Sequence, residues 1–197
     1  MLGAWKCKPQ FPPVCVPAFE LLFWQKIMLR MGLRKLQDKV ALITGAASGI
    51  GKATATKFIN NGAKVIIADI DQELGQETAK ELGPNATFIA CDVTQESDIS
   101  NAVDLAVSKH KQLDIMYNNA GIACRSPLSI VDLDLELFDK VMDINVRGVV
   151  AGIKHAARVM IPRGSGSILC TASVTGVIGR GVTTHLLNIQ VCGCGHC

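Results

Sequence analysis

A glycine-rich stretch, Thr44-Gly45-Ala46-Ala47-Ser48-Gly49-Ile50-Gly51, is the strongest chemical signal in this 197-residue sequence. It lies between a short apolar run that predicts a strand and a pattern that predicts a helix. Glycine lets a backbone approach a pyrophosphate closely, and the N-terminus of the following helix supplies unpaired N–H groups and a favourable dipole. We therefore predict that a dinucleotide binds here, at Gly45, Ser48, Gly49, Ile50 and Gly51.

An acidic residue, Asp69, ends the next predicted strand, 24 residues after Gly45. A carboxylate at this place can accept hydrogen bonds from the hydroxyls of an adenosine ribose, and it would repel a 2′-phosphate. Ser48 and Ile70 are not basic, so neither offers a cation to such a phosphate. The pattern favours NAD over NADP as the cofactor. The alternative is that Asp69 merely begins a turn.

Short apolar runs alternate with helical stretches from Asp38 onward, which is typical of βαβ units and a parallel sheet. The predicted strands are Val40–Ile43, Val65–Ala68, Thr87–Ala90, Asp114–Tyr117 and Ser167–Cys170. The predicted helices are Ile50–Asn60, Gln72–Leu82, Glu96–Lys109 and Phe138–Met160. Because such apolar strands are covered on both faces, we predict an α/β fold, a Rossmann-type doubly wound parallel sheet in three αβα layers.

The first predicted helix has apolar or small side chains at four-residue spacing. Ile50, Thr54 and Phe58 recur in this way, and we expect all three to face the sheet. Gly62 follows the helix at the place where a C-terminal cap favours a residue without Cβ.

Composition excludes several classes of function. The chain is 49% hydrophobic and 19% charged, which is typical of a globular protein. Residues 1–36 carry six Lys or Arg and one Glu, so their net charge is larger than the formal charge of +3 of the whole chain. The remainder of the chain is therefore slightly negative. It has no basic stripe for nucleic acid and no run of about 18 apolar residues to span a membrane. Cys91, Cys124 and Cys170 are interpreted as buried free thiols of a reducing compartment.

Five motifs, in order along the chain, resemble those of the short-chain dehydrogenase/reductase family. The glycine-rich stretch is the first. The others are Cys91-Asp92-Val93, Asn118-Asn119-Ala120-Gly121, Asp143-Ile144-Asn145-Val146-Arg147-Gly148 and Thr171-Ala172-Ser173-Val174-Thr175-Gly176. The resemblance covers roughly residues 36–179 and looks closest to the plant secoisolariciresinol-dehydrogenase-like branch.

The resemblance implies hydride transfer between a secondary alcohol or ketone and the nicotinamide ring of NAD. The resemblance also implies five further cofactor-binding residues, namely Asp92, Val93, Asn119, Ala120 and Gly121. Ser173 would hold the substrate oxygen, and Asn145 would support a water that relays protons. No metal is implied. A homo-oligomer is expected of full-length family members.

The sequence departs from the family after Ser173. The catalytic Tyr-x-x-x-Lys pair is expected near positions 186–191, which read Leu-Leu-Asn-Ile-Gln-Val. The only tyrosine, Tyr117, lies in a predicted strand and is expected to pack there, and His185 is the nearest titratable side chain. We therefore expect the C-terminal strands and helices to be missing and the fifth strand to form an exposed edge. The alternative function is a catalytically silent, truncated isoform that binds NAD or pairs with full-length subunits.

Three segments are predicted: residues 1–36, a poorly ordered extension; residues 37–179, an incomplete NAD-binding domain; and residues 180–197, a tail unlike the family. The tail ends in four residues of metal-ligand type, Cys192, Cys194, His196 and Cys197. Their spacing is too tight for the usual paired zinc motif, so coincidence is the favoured interpretation. The expected location is the cytoplasm, with a plastid or mitochondrion as alternatives through the basic leader.

Overall fold

The structure is a computed structural model that describes residues 35–123, 130–172 and 195–196. All of them belong to one compact unit, Lys35–Cys197. Its strands are β1 (Val40–Thr44), β2 (Lys64–Asp69), β3 (Ala86–Ala90), β4 (Ile115–Asn118), β5 (Ser167–Cys170) and β6 (Gly195–His196). They form one sheet in the order β3-β2-β1-β4-β5-β6, in which β1 to β5 are parallel.

Helices connect the strands and cover both faces of the sheet. They are α1 (Gly49–Asn60), α2 (Gln72–Leu82), α3 (Glu96–His110), α4 (Leu135–Met142) and α5 (Gly148–Met160). A π-helical turn, Asp143–Arg147, joins α4 to α5. Two short 3₁₀ turns, Ile130–Asp132 and Ile161–Arg163, complete the described elements.

Two apolar clusters, one on each face, hold the layers together. On one face β1, β2 and β4 pack against α3 and α5, for example through Leu42, Met116 and Val103, all fully buried. On the other face alternate strand residues such as Ile43 and Ile67 pack against α1 and α2. Because helices bury both faces of the sheet, the strands are apolar throughout and do not alternate between apolar and polar residues. The predicted α/β, doubly wound, three-layer fold is confirmed.

The predicted helix Phe138–Met160 is wrong in two respects. It begins earlier, because Asp134 caps α4 by accepting from the N–H groups of Glu136 and Leu137 at 2.9 and 3.2 Å. It is also interrupted by the π turn, in which the Gly148 N–H donates to the Asp143 carbonyl five residues back. A helical hydrophobic period does not reveal a single inserted residue, so the sequence pattern predicts one continuous helix.

The face assigned to the first helix is partly wrong. Gly51 and Ala55 are the buried residues of α1, whereas Ile50 is 64% exposed. Ile50 lies in the first turn of α1 and lines a cleft at the carboxyl edge of the sheet. Phe58 packs against the apolar cluster as predicted, and Gly62 has the positive φ of +91° expected after the helix.

The fifth strand is not a bare edge over its whole length. Ser167 and Ile168 pair antiparallel with His196 and Gly195 of β6. Unpaired N–H and C=O groups at a sheet edge accept an extended segment of little β-propensity, so a strand forms in a tail whose composition predicts none. The pairing covers half of β5.

Asp114 ties the amino end of the sheet together. This buried carboxylate accepts from the Val40 N–H at 2.9 Å and from the Gln112 side chain at 2.8 Å. Arg163 donates to it at 3.2 Å and also donates to the Leu113 carbonyl at 2.7 Å. A buried charge satisfied in this way is costly to remove, because its partners are left without an acceptor.

We expect Asp114→Ala to lower the free energy of unfolding by about 3 kcal/mol, since it leaves the Arg163 guanidinium and the Val40 N–H without this acceptor. Asp104→Ala is the matched control, because it removes the exposed 2.6 Å pair with Arg158 and should cost less than about 1 kcal/mol. Urea denaturation monitored by circular dichroism measures both. Equal losses for the two variants would contradict this account of Asp114.

Candidate active site

A cleft of about 560 Å³ opens at the carboxyl edge of the sheet, where β1 to β5 end. It lies beside the point where the strand order reverses between β1 and β4, the usual ligand site of doubly wound sheets. Eleven of the thirteen residues singled out in the sequence line it, namely Gly45, Ser48, Gly49, Ile50, Asp69, Asp92, Val93, Asn119, Ala120, Gly121 and Asn145. Gly51 does not line it, and Ser173 lies outside the described residues.

The glycines of the first turn serve different purposes. A Cβ on Gly51 would overlap the Gly45 carbonyl oxygen and come within 2.8 Å of the Asn119 side chain, so Gly51 is required by packing beneath the turn. A Cβ on Gly45 would lie 2.8 Å from the Ala120 Cα. Gly49 instead faces open space and has a φ of +54°. Of these three, Gly49 is therefore the position where a ligand can approach the backbone.

The N-terminus of α1 opens on the cleft, and its N-cap residue provides no side-chain cap. The Ser48 side chain makes no capping hydrogen bond, and the first turn of α1 contains no acid. In contrast, Asp71 caps α2 by accepting from the Leu74 N–H at 3.0 Å. The first N–H groups of a helix need acceptors, and together with the helix dipole they favour an anion. This end of α1 can therefore bind phosphate.

Asp69 lies on the rim of the cleft at the end of β2 and is half-buried. One carboxylate oxygen accepts from the Ala47 N–H at 2.8 Å, and the other accepts from the Asp71 N–H at 3.1 Å. Each oxygen retains a lone pair that can accept from a ligand hydroxyl. Asp69 is thus both an acceptor at the rim and a support for the turn that follows β1.

Asn119 joins the end of β4 to the turn after β1. Its side-chain NH₂ donates to the carbonyls of Thr44 and Gly45 at 3.0 and 3.1 Å. The buried Thr44 hydroxyl accepts in turn from the N–H groups of Asn119 and Ala120 at 3.0 and 3.1 Å. These bonds engage the side-chain NH₂ and the backbone N–H of Asn119, so this residue shapes the cleft from behind rather than offering its NH₂ to a ligand.

Asn145 lies on the π turn and faces the segment after β4. Its Oδ1 accepts from the Ile122 N–H at 2.9 Å, and its Nδ2 donates to the Ile122 carbonyl at 2.8 Å. The π turn widens the helix at this point, a feature common at functional sites. The reciprocal pair fixes both the side chain and the loop that begins at Gly121.

The segment that follows β3, Cys91-Asp92-Val93, forms the third side of the cleft. Asp92 Oδ1 accepts from the Thr94 N–H and hydroxyl at 2.9 and 2.8 Å, which orients the carboxylate. Burial raises the pKa of the neighbouring Cys91 thiol to about 12, and the charges of Asp98, Asp92 and Asp69 add to the effect. Cys91 is therefore a neutral thiol at physiological pH and not a nucleophile.

The thiols follow the sequence interpretation in part. Cys91 is buried and forms no disulfide, whereas Cys170 is half-buried beside the cleft. Cys124, Cys192, Cys194 and Cys197 lie outside the described residues. Among the residues that are described, no group of three or more His, Cys, Asp and Glu side chains is arranged to hold a metal ion. No helix in that part of the chain is long and apolar enough to cross a membrane.

Sequence reasoning missed three hydroxyl residues that shape the cleft. Thr44 opens the glycine-rich motif, but the motif assigns it no role. The Thr78 hydroxyl donates to the Ala47 carbonyl at 2.9 Å. The Thr171 hydroxyl contacts the Tyr117 hydroxyl at 2.9 Å and Asn119 Oδ1 at 3.1 Å. The partners of Thr78 and Thr171 are 31 to 54 positions away, so no local pattern identifies them. Tyr117 packs beside an apolar cluster, and its hydroxyl forms a hydrogen bond with the Thr171 hydroxyl.

Comparison with known proteins gives relatives of one kind. A sequence model described as "short chain dehydrogenase" matches residues 39–185. Borneol dehydrogenase, mitochondrial, of Lavandula x intermedia is 53% identical over 149 residues, which are 76% of this chain and 57% of that protein. Secoisolariciresinol dehydrogenase of Forsythia intermedia is 48% identical over 164 residues, 83% of this chain and 57% of that protein. The chain thus spans a little over half the length of these curated relatives.

A solved structure has the same fold. The 3-ketoacyl-(acyl-carrier-protein) reductase from Brucella melitensis, complexed with NADH, superimposes with a TM-score of 0.72 at 36% sequence identity. The match covers 78% of this chain and 64% of that one. The branch resemblance read from the motifs is confirmed by the plant relatives.

We expect Gly51→Ala to lower the free energy of unfolding by about 3 kcal/mol, because the new Cβ meets backbone atoms that cannot move aside. Gly49→Ala is the matched control in the same turn. It meets only the positive φ and should cost about 1 kcal/mol. Chemical denaturation of both variants measures the difference, and a larger loss for Gly49→Ala would contradict the assignment of packing to Gly51.

Proposed function

The chain belongs to the short-chain dehydrogenase/reductase family, and from that premise we propose that it binds NAD(H) at the carboxyl edge of its sheet for hydride transfer to or from a secondary alcohol or ketone. The observation that carries the proposal is the position of Asp69. Its carboxylate lies on the cleft rim beside the uncapped N-terminus of α1. An anion site and a hydroxyl acceptor then stand next to each other, as a dinucleotide requires.

The phosphate side of the cleft fits a pyrophosphate. The N-terminus of α1 offers backbone donors, and Gly49 leaves open space in front of them. The first turn of α1 contains no acidic residue, and the described residues that line the cleft include no Lys or Arg. Phosphates would therefore be held by backbone N–H groups and the helix dipole rather than by a cationic side chain.

The ribose side of the cleft favours NAD over NADP. A 2′-phosphate placed beside the Asp69 carboxylate would be repelled. Ser48 and Ile70 also line this side, and the described lining residues include no Lys or Arg. None of the described residues on this rim therefore compensates the charge that distinguishes NADP from NAD.

The reacting end of the site would be formed by Asn145 and Ser173. When bound, NAD supplies the nicotinamide carbon that exchanges hydride with the substrate carbon. By family resemblance Ser173 would donate a hydrogen bond to the substrate oxygen, and Asn145 would hold the water that relays a proton. The two hydrogen bonds between Asn145 and the Ile122 backbone support this role, because they fix the residue at the cleft wall.

The substrate class and the partners rest on the family alone. We propose a small, largely apolar alcohol or ketone as substrate and a homo-oligomer for full-length members. The cytoplasm stays the predicted location, with plastid and mitochondrion as alternatives. The name of the lavender relative places that protein in mitochondria.

A thermal melt tests the proposed cofactor. NADH at about 100 times its dissociation constant should stabilise the folded chain by about 2.7 kcal/mol, which raises Tm by about 5–10 °C, while NADPH at the same concentration should have a smaller effect. Turnover of a secondary alcohol with NAD is measured in parallel, and binding without turnover would identify a silent cofactor-binding chain. Equal shifts with the two nucleotides would contradict the preference for NAD, and no shift would contradict the cofactor site.

The charge of Asp69 has a direct test. We expect Asp69→Asn to weaken NADH binding about tenfold or more and to reduce the discrimination against NADPH, since it removes a charged acceptor and its repulsion of a 2′-phosphate. Asp71→Asn removes an equal charge two residues away and retains a helix cap, so its affinities should stay within about twofold. Fluorescence titration measures both ratios. Unchanged discrimination in Asp69→Asn would overturn the role of this carboxylate.

A further inference from the structure

Ala47, in the middle of the glycine-rich turn, is held on both sides by distant side chains. Its N–H donates to Asp69 Oδ2 at 2.8 Å, and its carbonyl accepts from the Thr78 hydroxyl at 2.9 Å. Ala47 and Thr78 are both buried, with Thr78 fully excluded from solvent. The turn is therefore attached to the end of β2 and to the middle of α2.

The bond made by Thr78 is unusual for a helical threonine. A threonine inside a helix ordinarily donates to the carbonyl four residues before it, as Thr56 of α1 does to Lys52 at 2.8 Å. Thr78 instead donates across to a carbonyl 31 residues away. The buried hydroxyl is thus committed to the turn rather than to its own helix.

Close packing of α2 against the sheet allows this contact. Gly75, one turn before Thr78, is buried, and a Cβ there would overlap the Phe88 ring of β3. Glycine is unfavourable inside a helix, so its presence indicates that close approach is required. Without that approach the Thr78 hydroxyl would not reach Ala47.

The direction of the Ala47 carbonyl has a consequence for the cleft. A trans peptide is planar, so the N–H of Ser48 points opposite to the carbonyl of Ala47. Ser48 lines the cleft and precedes α1. A hydrogen bond that fixes the Ala47 carbonyl therefore also fixes the direction of the Ser48 N–H, a donor available for phosphate.

We propose that Thr78 is a positioning residue for cofactor binding, which orients the Ala47–Ser48 peptide so that the Ser48 N–H is ready to bind the pyrophosphate. The proposal rests on the proposed NAD site. It also gives Asp69 a second task, because its carboxylate holds the N–H of the same residue whose carbonyl Thr78 holds. The residue that would select NAD and the residue that orients the phosphate donor thus act on one turn.

Three variants of the full chain test the role of Thr78. Thr78→Val removes the hydroxyl and keeps the shape, Thr78→Ser keeps the hydroxyl, and Thr56→Val removes a half-buried hydroxyl bond that stays within α1. The probes are NADH, ADP and adenosine, of which only adenosine lacks phosphate. Affinities are measured by fluorescence or by ligand-observed NMR at a temperature where every variant is folded, and Tm is recorded for each.

We expect Thr78→Val to bind NADH and ADP about three- to tenfold more weakly, the factor that one hydrogen bond represents, and to bind adenosine like the wild type. Thr78→Ser and Thr56→Val should stay within about twofold for all three probes. Wild-type affinity in Thr78→Val, or an equal loss for adenosine, would overturn the positioning role while leaving the NAD site intact. Failure of the wild type to bind NADH and ADP would overturn both the NAD site and this role.

Discussion

The cleft depends on direct backbone contact between the turn after β1 and the segment after β4. Gly45, with a φ of +63°, approaches the Ala120 backbone so closely that no side chain fits between them. Asn119 closes the same contact by donating two hydrogen bonds to Thr44, one to its hydroxyl and one to its carbonyl. Because β1 and β4 are adjacent strands whose connections leave in opposite directions, this contact forms the floor of the ligand site.

The two ends of the sheet use polar groups in opposite ways. At the amino end, the Asp114 carboxylate is surrounded by donors from the protein and serves stability. At the carboxyl end, the N-terminus of α1 has no side-chain cap and Asp69 stands on an open rim. Polar groups that a fold leaves partly unsatisfied are the groups a ligand can use, so the difference between the two ends locates function.

Much of this arrangement follows from local sequence. Strands β1 to β5 are largely apolar runs of four to six residues, and their ends carry the polar motifs, so the order of these elements and most lining residues are predictable. The π turn is not, because one extra residue leaves the 3.6-residue period nearly unchanged. Periodicity places Ile50 on the sheet face because it does not reveal that the first turn of α1 borders the cleft. Thr78 was missed because its partner lies 31 residues away and is selected only by packing of α2 on β3.

Hydrogen exchange with and without NADH tests the central claim, that the carboxyl edge of this sheet is a nicotinamide-cofactor site. Backbone amides of residues 45–51 and 118–122, which surround the cleft, should exchange about tenfold more slowly or better with saturating NADH, because a bound ligand suppresses local opening. Residues 111–115, at the amino edge, should change little beyond the overall gain in stability. Protection confined to the amino edge, or none at 45–51, would contradict the claim.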